Sequence, residues 1–76
     1  MSEQQWLDTF ADNLRDMLKR ARMTQRELAD VSGLSDATIS NYITKKKMPS
    51  IRAILNIAYT LDCSLDELAD FGDTII

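Results

Sequence analysis

The amide of Asn41 can donate to and accept from one adenine edge at once, and Ala37 and Thr38 before it carry methyl groups that can rest against a thymine methyl. Thr38 adds a hydroxyl that donates or accepts, and Asp36 adds a carboxylate that can accept from a cytosine amino group. These side chains share one face of a helical stretch when Ile39, Tyr42 and Ile43 turn to the other. Lys45, Lys46 and Lys47 follow at once, with the charge and reach to hold the phosphates that flank a groove. Small polar groups that read base edges, beside cations that grip the backbone, suit recognition of duplex DNA. Plainer roles also fit: Asp36 is favourable at a helix N-terminus, and the lysines complement a helix C-terminus.

Two short helices and a tight turn must position these groups. Gly33 can take a positive φ and bend the chain sharply, and Ala29, four residues earlier, is small enough for a second helix to cross closely. Ile39 and Tyr42, three apart, would clamp the second helix on the first. Ser35 is placed to cap that helix and to approach a phosphate through its backbone amide. Thr44, Arg22 and Arg26 are weaker phosphate candidates. Ser40 is expected to face sideways, toward phosphate or solvent.

Capping residues divide the rest. Ser2 with Gln5, Thr24 with Glu27 and Ser64 with Glu67 have capping-box spacing, and Met1/Trp6, Met23/Leu28 and Cys63/Leu68 occupy the staple positions around them. Ser35 has Leu34 and Ile39 as its staple but Thr38 in place of Glu or Gln, and Ser50 follows the single proline, Pro49. The spacing predicts helices over about 3–21, 25–32, 36–43, 51–61 and 65–70. The inward stripe would be Trp6, Phe10, Leu14, Met17, Leu18 and Ala21 in the first helix and Leu28, Ala29 and Val31 in the second. Ile39, Tyr42 and Ile43 follow in the third helix, Ile51, Ile54, Leu55, Ala58 and Leu61 in the fourth, and Leu65 and Leu68 in the fifth. Trp6 and Phe10 fit either core packing or a ligand surface, with packing favoured.

Seventy-six residues, 45% hydrophobic and 28% charged, suffice for one folded domain spanning 1–76 and one modest core. With no histidine and one cysteine, Cys63, neither a zinc site nor a disulfide framework nor the usual acid–base and nucleophilic constellations can be assembled. No enzyme activity, cofactor or metal is expected. Cys63 reads as a small buried hydrophobe. A lone thiol, the lack of a basic–apolar leader and the lack of a membrane-length apolar run point to a cytoplasmic protein, at the nucleoid if the source is bacterial or phage.

A net charge of −3 is unpromising for a DNA binder, but its distribution is not. Residues 1–14 carry −3 and residues 53–76 carry −5, whereas 15–52 hold all nine basic residues and carry +5. A basic band between acidic ends is the footprint that phosphate binding requires, and the ends would repel DNA docked elsewhere.

The chain resembles the lambda-repressor-like, Xre/Cro-type family of helix-turn-helix regulators. The likeness rests on Leu14, Met23-Thr24-Gln25-Arg26-Glu27-Leu28-Ala29, Gly33-Leu34-Ser35, Thr38-Ile39-Ser40-Asn41-Tyr42, Pro49-Ser50 and Leu61 through Leu68. It implies an all-α, compact five-helix domain that commonly binds operators as a dimer, with Gln25 bonding both the DNA backbone and the recognition helix. Two departures stand out. Leu18 and Ile43 occupy the places of the family's frequent Arg–Glu pair, an exchange that avoids desolvating two charges. Lys45 stands where the family often has glycine after the third helix, so a strained or differently shaped exit turn is expected.

A dimer would present two recognition helices to major grooves about 34 Å apart. Phe71, Ile75 and Ile76 of the tail, with Ile57, Leu61 and Leu65, are the candidate contact surface; intramolecular packing, or a linker to a larger domain, are the alternatives. The sequence thus favours a transcriptional regulator on a double-stranded operator, of phage-repressor, Cro-like or restriction–modification controller type, with an antirepressor as a possible protein partner. The competing reading, supported by the acidic pI of about 4.7, is a helix-turn-helix protein-interaction module such as an antitoxin-like scaffold.

Overall fold

Every helix begins where a hydroxyl can take one of its unpaired backbone amides. The computed structural model describes residues 2–68, with α1 at Glu3–Ala21, α2 at Gln25–Ser32, α3 at Asp36–Ile43, α4 at Ile51–Thr60 and α5 at Leu65–Leu68. Ser2 Oγ accepts the Gln5 N–H at 3.1 Å while Gln5 Oε1 accepts the Ser2 N–H at 2.9 Å, and Thr24 and Glu27 close the same box at 3.1 and 3.0 Å. Ser35, Ser50 and Ser64 accept the amides of Thr38, Ala53 and Glu67. The helices therefore start where the caps put them. Leu61 is the C-cap of α4, so that helix ends one residue earlier than expected, while Met1 and the expected helical positions 69–70 lie outside the described residues.

The helix ends are less ordinary. α2 stops at Gly33, whose N–H still donates to the Ala29 carbonyl at 3.1 Å and whose φ of +79° then turns the chain out of the helix. A Cβ there would meet nothing within 4 Å, so the backbone angle alone calls for glycine. α1, α3 and α4 end in Schellman motifs instead, with Arg22, Lys45 and Asp62 in the left-handed conformation at φ 55°, 63° and 53°. Their six-to-one bonds run from Met23 to Leu18 at 2.9 Å, Lys46 to Asn41 at 2.8 Å and Cys63 to Ala58 at 3.0 Å.

The five helices close on one apolar centre in which Phe10, Leu14, Leu28, Ile39, Ile57 and Leu68 are fully buried. α2 packs on α3 and α4, α1 on α3 and α5, and α4 on α5. Trp6 stacks on Phe10 with centroids 5.4 Å apart, and Phe10 meets Tyr42 edge-on at 6.1 Å, so an aromatic ladder joins α1 to α3. The Asn13 amide donates to the Leu68 carbonyl at 3.1 Å and ties α5 to α1. Leu18 and Ile43 are both buried in this core, as an apolar replacement for a charged pair requires. Cys63 and the staple residues Met23 and Leu34 pack against its edge.

Several inward expectations are corrected. Val31 is 63% exposed, Ile51 67% and Leu55 49%, and Ala21 is also exposed. The buried face of α4 is Ala53, Ile54, Ile57 and Ala58, which places Ile51 and Leu55 on the flank, about 60° and 100° around the axis from Ile54. Leu7 and Ala11 of α1 join the core without having been in the expected stripe. No described helix is long and apolar enough to cross a membrane.

Candidate nucleic-acid interface

Thr24 starts α2, Gly33 turns the chain and Ser35 starts α3, so three local signals set the angle at which α3 is presented. Buried Ala29 permits the close crossing, and buried Ile39, Tyr42 and Ile43 hold the inner face of α3. Away from that face Asp36 and Ala37 are exposed, and Thr38, Ser40 and Asn41 are half-buried. Burial pushes the Tyr42 hydroxyl above its ordinary pKa, so this inner residue stays neutral.

The candidate base readers differ in how committed they are. Thr38 Oγ1 lies 2.7 Å from Ser35 Oγ, which also accepts the Thr38 N–H at 3.0 Å, so its hydroxyl is engaged in the helix cap. The Asn41 side-chain amide makes no hydrogen bond among the described residues; the main-chain carbonyl of Asn41 accepts from the N–H groups of Lys46 and Lys47 at 2.8 and 3.3 Å. Asp36 adds its negative charge to the first turn of α3.

The phosphate candidates divide as well. Ser35 is exposed at the start of α3, and Gln25 is half-buried at the first position of α2. Thr44 donates its hydroxyl proton to the Ser40 carbonyl at 2.7 Å, and its N–H goes to the same carbonyl at 2.9 Å. Lys45 is turned to α1, its Nζ 3.4 Å from Asp8 and 4.0 Å from Asp12. Lys46 and Lys47 are exposed and form no ion pair among the described residues. The exit turn is strained in the way its missing glycine suggested.

Of the residues expected at a dimer contact, Ile57 is 0% exposed within a single copy and offers no surface to a second. Leu61 is half-buried against the core and Leu65 is exposed, while Phe71, Ile75 and Ile76 lie outside the described residues. What α4 does present is Ile51, Leu55 and Tyr59, spaced four apart, with Tyr59 89% exposed.

The sequence model of the helix-turn-helix family matches residues 14–68, most of the chain and the whole of this site. The chain belongs to that family. Its lambda-repressor-like character agrees with the five-helix architecture and with a solved structure, the SOS-response transcriptional repressor LexA from Eubacterium rectale. That structure has a TM-score of 0.81 at 20% identity, over 100% of this chain and 81% of the other. At that identity the likeness speaks for the fold alone. A relative in Bacillus subtilis strain 168, the uncharacterized HTH-type transcriptional regulator YqaE, is 32% identical over 59 residues, which are 78% of this chain. The aligned part is 51% of YqaE, so this chain spans about half the length of that relative.

Two features of this helix-turn-helix domain were missed from the sequence. The α1 carboxylates that take Lys45 stand more than thirty residues from it, and no local pattern links them. On α4, Ile51 and Leu55 were expected in the core, so the exposed row that they form with Tyr59 went unrecognised.

Proposed function

We propose that this chain is a sequence-specific, double-stranded-DNA-binding transcriptional regulator, a phage-type repressor or Cro-like protein that reads a palindromic operator as a dimer. The observation that carries this reading is α3: its inner face is locked by Ile39, Tyr42 and Ile43 while the Asn41 amide stays uncommitted on the other side. In the proposed complex Asp36, Ala37, Thr38 and Asn41 face base edges in the major groove. Gln25, Ser35, Lys46 and Lys47 take phosphates. The transcriptional-regulator name of YqaE supports the same role. No catalytic activity belongs to this proposal.

The test is selection of bound duplexes from a random DNA pool. Enrichment of a palindrome whose half-sites lie about 10 bp apart supports both the readout and the dimer. Enrichment of a single half-site removes the dimer, and failure to enrich any sequence removes the specific readout.

A second reading, a protein-interaction module, draws on the exposed row of Ile51, Leu55 and Tyr59. It predicts that Leu55→Glu abolishes the function in cells while leaving affinity for DNA intact; loss of function only on substitution of α3 favours the first reading.

A further inference from the structure

We infer that Lys45 is a positioning residue, clasped to α1 through Asp8 and Asp12, and that Lys46 and Lys47 alone of the lysine run are left to grip phosphate. This rests on the DNA-binding reading proposed above and refines which charges serve it.

The backbone supplies the first argument. Lys45 occupies the C′ position of the Schellman motif that ends α3, at φ 63°, where a glycine would sit without strain. A glycine could form both main-chain bonds of the motif, Lys45 N–H to Tyr42 O at 3.2 Å and Lys46 N–H to Asn41 O at 2.8 Å. It could not carry a cation to α1. The left-handed turn sends the Lys45 side chain to two carboxylates one helical turn apart, 3.4 and 4.0 Å from Nζ.

Charge balance supplies the second. Drawing Lys45 onto a phosphate would strip Asp8 and Asp12 of their cation and leave two carboxylates uncompensated near a polyanion. Lys46 and Lys47 carry no such obligation among the described residues. The clasp also governs what lies on either side of it. The Asn41 carbonyl accepts the N–H groups of both Lys46 and Lys47, so holding residue 45 fixes the bases of the two free lysines against the carbonyl of the proposed adenine reader.

The experiment measures binding of a fluorescein-labelled random-sequence duplex against salt for the parent, Lys45→Met, the Lys46→Met/Lys47→Met pair, Lys45→Asp and the charge swap Asp8→Lys/Lys45→Asp. The paired variant should flatten the slope of log K on log salt by about 1.8, whereas Lys45→Met should leave the slope unchanged. Lys45→Met should also weaken binding about threefold, the scale of one partly exposed ion pair. The swap should bind better than Lys45→Asp alone, because the clasp is restored with its polarity reversed. A slope flattened by about 0.9 in Lys45→Met, or a swap no better than Lys45→Asp, overturns the assignment. A parent that captures no duplex at low salt removes the DNA reading. The clasp then stands or falls on a urea-unfolding cycle of Asp8→Asn with Lys45→Met, where additive effects overturn it.

Discussion

Ser35 and Thr38 share a hydroxyl–hydroxyl contact of 2.7 Å at the first turn of α3, and the same Ser35 oxygen accepts the Thr38 amide. The cap of the helix and a proposed base reader are therefore one unit. Ser35→Ala removes both interactions at once. It should lower stability by about 1 kcal/mol, the usual loss at an N-cap, and free the Thr38 hydroxyl to rotate. Thr38→Val should keep the cap, since the amide of residue 38 still reaches Ser35. Urea unfolding separates the two variants, and duplex selection should show both altering preference at the same base position. Altered positions that differ would mean that the hydroxyl pair does not act jointly.

Asn41 offers a cleaner dissection, because its side chain makes no hydrogen bond among the described residues and its carbonyl is what Lys46 and Lys47 use. Asn41→Ala should thus leave the exit turn intact. Operator affinity is expected to fall by about 1–3 kcal/mol, with preference relaxed at a single position. An equal loss on all sequences would place Asn41 against the backbone instead.

What was legible in the sequence follows from the range of each interaction. Ser2, Thr24, Ser35, Ser50 and Ser64 act on amides three residues away, so helix starts could be read from the chain alone. Gly33 declared its turn for the same reason. Helix phase was harder. On α4 a choice between Leu55 and Ile57 as the inward residue depends on where α2 and α5 lie, and local spacing admits both. The Lys45 contact was hidden more deeply, since it needs α1 and the end of α3 to be side by side before Asp8 can be recognised as its partner. The proposed base readers sat between these cases: their face was legible once Ile39 and Tyr42 were assigned inward, but the engagement of Thr38 by Ser35 was not.

Cys63 and Tyr42 give the fold a sensitivity to alkali. Burial pushes the Cys63 thiol up from its ordinary 9.0, with Glu67 and Asp62 adding repulsion of the thiolate, and burial raises Tyr42 from 10.0. Both groups are neutral when protonated, and the fold favours that form. Their contribution is fully present below the unfolded-state values and is lost as pH rises through the folded-state values. The urea midpoint should stay flat from neutral pH up to about pH 8.5 and then fall, and Cys63→Ala should remove the first part of that fall. A Cys63→Ala profile that matches the parent throughout would show that the thiol is not coupled to folding.

Arg22 and Gly33 hold the same left-handed backbone at φ 55° and 79°, one with a side chain that disfavours it and one without. At Arg22 the Schellman bonds to Lys19 and Leu18 are main-chain only, so glycine would keep them. Relief of the Cβ clash is worth about 1–2 kcal/mol, and the looser unfolded chain takes back about 0.4–1 kcal/mol. Arg22→Gly should therefore raise stability by about 0–1.5 kcal/mol. Gly33→Ala should do the reverse and lower it by about 1–2 kcal/mol, even though a Cβ there has open space, because the cost is in φ alone. Urea unfolding of the two variants tests the pair. If Arg22→Gly instead destabilises, the Arg22 side chain holds the end of α1 by a contact that outweighs its strain, and backbone preference is not what sets stability at these turns.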